Sequence, residues 1–174
     1  MKKYEMIPDE SGLYRIRALI DIPMHNVKAG DSGGLIEGCE NLRDAGSCWI
    51  DVNARATGYA IVSGDAWIGS HAWIGGNAFI SDRAAIWKTI IDGEAEIKGN
   101  AVINSAEDYI VFKNFWSSGR YFTWTRSNNM WSVGCFYGTG EELIKKAYAD
   151  SKRSGREYER VVRYVESILE DEKK

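Results

Sequence analysis

The stretch GDAWIGSHAWIGGNAFI, Gly64 to Ile80, says nearly the same thing three times at six-residue spacing. The phrase extends in both directions. A small residue stands at Cys48, Ala54, Ala60, Ala66, Ala72, Ala78 and Ala84, and an aliphatic or alanine follows two places later at Ile50, Ala56, Val62, Ile68, Ile74, Ile80 and Ile86. One step is then five residues long, after which Thr89, Ala95 and Ala101 take the small slot and Ile91, Ile97 and Ile103 the aliphatic one. A six-residue period drifts out of phase with a helix of 3.6 residues per turn. It suits short strands separated by Gly, Asn and Asp corners, with both recurrent slots turned inward. A fixed short period marks a stacked array, whose units are stable only when neighbours cover them.

These ten hexads, over residues 44–106, resemble the hexapeptide-repeat family. The resemblance implies a mainly β fold: a short left-handed parallel β-helix of triangular section, three hexads to a coil, built into trimers through its flat faces. The residue between the inward slots points outward, and each face returns every 18 residues, or 17 across the short step. One face then carries Trp49, Trp67, Ala85 and Val102, the next Arg55, Trp73 and Ile90, and the third Ile61, Phe79 and Glu96. Large apolar groups in such rows mark covered surface. Trp49, Trp67, Trp73 and Phe79 are therefore expected at an oligomer interface, with the C-terminal helices covering another face.

His71 occupies the slot just before the small residue, which elsewhere holds Asn53, Tyr59, Asp65, Asn77, Arg83, Lys88 and Glu94. That is a corner, where polar residues tolerate turn geometry. Two readings follow. His71 is one more polar corner, or it is the general base of an acyl-CoA-dependent acyltransferase, a role the family resemblance implies for a histidine at a subunit cleft. Zinc-dependent carbonic anhydrases of this fold need three histidines, whereas this chain has two, so no metal site is expected.

Flanking the repeats are a capping segment, 1–43, and a C-terminal unit, 107–174. In the first, LYRIRALI (Leu13 to Ile20) alternates as a strand, and a turn-rich stretch follows. The Gly30-Asp-Ser-Gly-Gly34 run lacks GxGxxG and GxxxxGK[ST] and reads as a turn with positive φ; His25 has no partner histidine or cysteine and is given no role.

The C-terminal unit opens with an aromatic-rich hairpin, strands at Tyr109 to Lys113, Arg120 to Arg126 and Met130 to Gly134, turning at Ser127 to Asn129. Thr139 with Glu142 and Ser154 with Glu157 read as capping boxes of two amphipathic helices. Alternation puts Phe122, Trp124 and Arg126 on one side of their strand and Tyr121, Thr123 and Thr125 on the other. One face is then core and the other free for a site. Aromatic rings stack on bases and arginine pairs with phosphate, so Trp116, Arg120, Tyr121, Trp124 and Arg126 are the expected residues for a nucleotide-like ligand.

The 174 residues carry a formal net charge of −3 with both signs interleaved, which argues against duplex DNA and an anionic membrane surface. The start, MKKYEMIPDESG, has no apolar leader region, and no run nears the ~18 apolar residues of a spanning helix; a cytoplasmic location is expected. Cys39, Cys48 and Cys135 are odd in number and far apart, a pattern of reduced thiols.

The entry stretch VKAGDSGGLIEGCENL, a short solenoid and a terminal GCFYGTGEEL together resemble uncharacterised hexapeptide proteins of phages and prophages. That resemblance implies a non-catalytic homotrimeric binding protein without a cofactor, inhibiting a host defence system by holding a nucleotide signal or a host protein. An acyltransferase using acetyl-CoA and His71, or a purely structural trimeric scaffold, are the alternatives.

Overall fold

A computed structural model describes residues 2–172. The ten hexads are ten strands of two or three residues: β4 (Trp49–Ile50), β5 (Arg55–Ala56), β6 (Ile61–Val62), β7 (Trp67–Gly69), β8 (Trp73–Ile74), β9 (Phe79–Ile80), β10 (Ala85–Trp87), β11 (Ile90–Ile91), β12 (Glu96–Ile97) and β13 (Val102–Ile103), after β1 (Tyr4–Pro8), β2 (Tyr14–Ala18) and β3 (Ser32–Ile36). Parallel pairing stacks them into a β-solenoid of about four turns with three flanks. The register places Trp49 beside Trp67, Ala85 and Val102, Arg55 beside Trp73 and Ile90, and Ile61 beside Phe79 and Glu96. Those are the rows expected from the period.

The column owes its stability to the inward slots. Every aliphatic-slot residue from Ile50 to Ile103 is fully buried, and the small slot is closed from Cys48 to Ala101. Each coil contributes three such side chains at ~1.5 to 3 kcal/mol apiece where the residue is aliphatic. The corners are where the chain leaves the strand region: Gly64 (φ 64°) meets the Asp82 backbone of the next coil so closely that a Cβ would collide with it.

Stacking begins upstream of residue 44. Leu35 and Ile36 pair in parallel with Arg55 and Ala56, and Leu42 bridges Val62. The strand β3 also pairs antiparallel with β2, and β2 with β1, so one flank becomes a six-stranded sheet in the order β1-β2-β3-β5-β8-β11. Gly33 and Gly34 therefore lie in a strand and not in the expected turn; only Gly30 of that run takes a positive φ, 95°. Close packing is the reason. A Cβ on Gly34 would run into the Ala54 carbonyl, and one on Gly33 would strike Ile16 and Trp49.

The same contact removes Trp49 from the expected oligomer interface. Ile16 and Gly33 lie over its ring, leaving it 2% exposed within the single chain. Next to it the fold buries an amine: Lys3 Nζ donates to the carbonyls of Arg43 (2.7 Å) and Gly46 (3.4 Å) and lies 3.1 Å from Cys48 Sγ. Lys3 thus ties the loop that leads into the first full coil.

The far end of the column is closed by β14 (Tyr109–Lys113), β15 (Tyr121–Thr125), β16 (Met130–Val133) and β17 (Phe136–Gly138), an antiparallel sheet in chain order. The last coil has no successor to accept its N–H groups, and an open strand edge is costly when covered without partners. Hydroxyls supply the acceptors: Glu96 N–H donates to Thr123 Oγ1 (2.9 Å) and Val102 N–H to Ser127 Oγ (2.7 Å). On the opposite side of the sheet, Phe122, Trp124 and Trp131 pack against Leu143, Ile144 and Ala147 of α1 (Gly140–Asp150) and Tyr158, Val162 and Val165 of α2 (Lys152–Asp171).

The Thr139–Glu142 capping box forms at the start of α1. The second expected box does not: α2 begins three residues earlier, with Ser151 as its N-cap accepting from Ser154 N–H. Cys39, Cys48 and Cys135 are free thiols, and among the described residues no helix is long and apolar enough to cross a membrane.

Candidate functional site

The hairpin does not have the free face that alternation alone suggests, because the column covers one side and the helices the other. Trp124 is 1% exposed, its Nε1–H donating to Asn129 Oδ1 (2.9 Å), and Trp116 is wedged edge-on against Phe122 and Tyr158. Neither ring can take a stacked base. Arg126 is engaged too, paired with Glu172 and donating from Nε to the Glu107 carbonyl (3.0 Å). Tyr121 is exposed at the sheet margin beneath Lys113 Nζ, 5.3 Å from its ring centre, while Arg120 opens onto a separate cleft. The five residues expected to share one ligand surface are dispersed.

His71 is an exposed corner in the left-handed region (φ 64°), and its Nδ1 lies 3.4 Å from the neighbouring Ser70 Oγ. It borders a shallow groove of about 420 Å³ with Arg55 and Trp73. There the Trp73 ring is already occupied on one face by the Arg55 guanidinium (4.2 Å), and its Nε1–H donates to Thr57 Oγ1 (2.8 Å).

A groove of about 540 Å³ lies on the flank of β4, β7, β10 and β13. Its architecture follows from the hexad register. Ala85 follows Trp67 in the outward row, and this small residue leaves a notch that the next coil does not fill. Trp67 and Trp87 wall the notch, ring centres 6.1 Å apart and planes tilted by 46°. Gly69 makes room for both, since a Cβ there would overlap the Trp87 ring and the Trp67 indole nitrogen.

A third ring comes from far away in sequence. The segment Met24 to Asn26 folds back so that His25 sits 4.9 Å from Trp67, its Nε2–H donating to the Asp65 carbonyl (3.1 Å). Burial pushes the imidazole below its ordinary pKa, which keeps it neutral at physiological pH with Nδ1 as an acceptor. The Arg83 guanidinium stands at the rim without a hydrogen-bond or ion-pair partner among the described residues, while its backbone N–H donates to the Gly99 carbonyl (2.8 Å). The Trp67 Nε1–H is buried and likewise unpartnered.

Planar apolar walls beside an uncommitted guanidinium can hold a flat heteroaromatic ring carrying an anionic group. Of the expected residues only Trp67 contributes. His25, Trp87, Gly69 and Arg83 were missed, although the Trp67–Ala85 pairing in the outward row was a visible sign of a notch. Among the described residues no group of three or more His, Cys, Asp or Glu side chains is placed to hold a metal ion. No protein-family model matches the chain, and no curated protein matches it either.

Proposed function

We propose that the chain is a non-catalytic, homo-oligomeric binding protein that holds a nucleotide-like ligand in the Trp67–Trp87 groove. The observation that carries this reading is the juxtaposition of two indoles and a neutral imidazole with the unpaired Arg83. Base stacking on an aromatic side chain is worth ~1 to 3 kcal/mol, and a charge-assisted hydrogen bond ~1.5 to 3 kcal/mol. The repeat pattern supports the finer fold reading, a left-handed hexapeptide coil assembled as a trimer. The flanks bearing Trp73, with Ile90 56% exposed beside it, and Phe79 are the surfaces left for that assembly. The resemblance of the terminal motifs to phage proteins supports a biological role as a phage-encoded inhibitor of host defence that sequesters a nucleotide signal.

The test is a tryptophan-fluorescence titration with a panel of linear and cyclic nucleotides. At least one should quench saturably, and Trp87→Ala and Arg83→Ala should each weaken it about tenfold or more. A panel without saturable quenching, or variants that bind as the wild type, contradicts the proposal. An acyl-CoA-dependent acyltransferase remains the second reading, favoured by the groove beside His71. Acetyl-CoA consumption abolished by His71→Asn would establish it.

A further inference from the structure

We propose that the cleft between the C-terminal sheet and its two helices is a second, independent site for a compact phosphate-bearing molecule. The cleft measures about 220 Å³ and is walled by Arg120 from the loop before β15, Lys146 and Asp150 from α1, and Tyr158 from α2. Neither Arg120 nor Lys146 has a side-chain hydrogen bond or ion pair among the described residues. Two uncommitted cations on different walls of one cavity attract an oxyanion placed between them.

The cleft's buried end supplies an independent sign. Tyr158 is 7% exposed, and its oxygen accepts a hydrogen bond from Asn114 Nδ2 (3.0 Å). Its own O–H has no acceptor among the described residues, although a buried hydroxyl ordinarily finds one. Burial raises the phenol pKa, so this group remains a donor at physiological pH. The Asn114 side chain is held in turn by Ser117, which donates to Oδ1 from both N–H and Oγ (3.0 Å each). A guanidinium, an ammonium and a phenol converging from three walls suit a tetrahedral oxyanion better than a planar carboxylate. Asp150 offsets one of the positive charges and discriminates against bulky polyanions, as does the cavity size.

The exposed Cys135 thiol lines the same cleft, whereas the exposed Cys39 lies in the N-terminal segment, so the protein carries its own reporter and control. Alkylation of the intact protein is followed by mass spectrometry with inorganic phosphate or chloride at equal ionic strength. Phosphate should slow modification of Cys135 several-fold and leave Cys39 unchanged. Arg120→Gln and Lys146→Gln, both at exposed positions, should each abolish the protection, while Tyr158→Phe, which also removes the acceptor of Asn114 Nδ2, should weaken it. Trp87→Ala should retain it in full, which separates this site from the solenoid groove. Equal Cys135 rates in phosphate and chloride, equal slowing of both thiols, or undiminished protection in the Arg120 and Lys146 variants would each overturn the proposal.

Discussion

The His25 imidazole and the Trp67 indole, 42 positions apart in the chain, lie 4.9 Å apart ring to ring, joined to the same coil by the His25 bond to the Asp65 carbonyl. This contact docks the N-terminal loop on the solenoid flank and completes the groove. It also makes the loop sensitive to pH. Burial depresses the folded-state pKa of His25, so protonation favours the unfolded chain. The stabilisation is complete above the ordinary value near 6.5 and is lost as pH falls from there through the lower folded value. Thermal melts between pH 7.5 and 5 should show a steeper loss for the wild type than for His25→Gln; parallel slopes would refute the assignment.

Gly69 has ordinary backbone angles but no space for a side chain. Gly69→Ala should therefore push the two indoles apart while the column stays intact, costing ~1 to 3 kcal/mol as overpacking does. A shifted tryptophan emission with a modestly lowered melting temperature is the expected result, and an unchanged spectrum would contradict the packing described.

Lys3 offers a sharper test of the N-terminal cap. Replacing it by methionine preserves the aliphatic stem but removes the only side-chain donor to the Gly46 carbonyl among the described residues and leaves the Arg43 carbonyl with the weak Cys48 thiol alone. A typical hydrogen bond contributes ~0.5 to 1.5 kcal/mol, so Lys3→Met should lower the denaturation midpoint, whereas Lys2→Met should leave it unchanged.

Inward and outward hexad positions should differ in energy as they differ in burial. Ile74 is fully buried and Ile90 is 56% exposed. Ile74→Ala should cost ~2 to 5 kcal/mol and Ile90→Ala no more than ~0.5 kcal/mol in chain stability. Denaturant titration decides, and equal losses would mean the inward slots are misassigned.

Assembly is tested on the same flank. Trp73→Glu places a carboxylate where a trimer would desolvate it, at a cost of several kcal/mol. Light scattering should report three times the chain mass for the wild type and a smaller species for the variant. A wild-type monomer would remove the trimer from the account.

The solenoid was readable because its code is local: each six-residue unit names its own inward pair, and the register of all three flanks follows by counting. The capping boxes show the limit of such local codes. Thr139 and Glu142 form theirs, but Ser151 starts α2 before Ser154 can, because the Ala147 carbonyl receives the Ser151 N–H directly and leaves almost no linker between the helices. The candidate site was harder to read for a related reason. Alternation correctly separated Trp124 from Thr123, yet nothing periodic tells that both sides of that sheet are covered, one by the Glu96 edge and the other by α1 and α2. Likewise, the return of His25 to Asp65 spans 40 residues and rests on one hydrogen bond and one ring contact, which leave no repeating trace in the sequence.

The most direct measurement of the central claim compares heat extracts of the wild type and Trp87→Ala, purified in parallel and read by ultraviolet absorbance and mass spectrometry. The wild type should release a phosphorylated compound absorbing near the nucleobase maximum, in an amount approaching one per chain, and the variant should release little or none. Extracts that are identical, whether both loaded or both empty, would contradict a nucleotide-like ligand held in the groove that Trp67 and Trp87 wall.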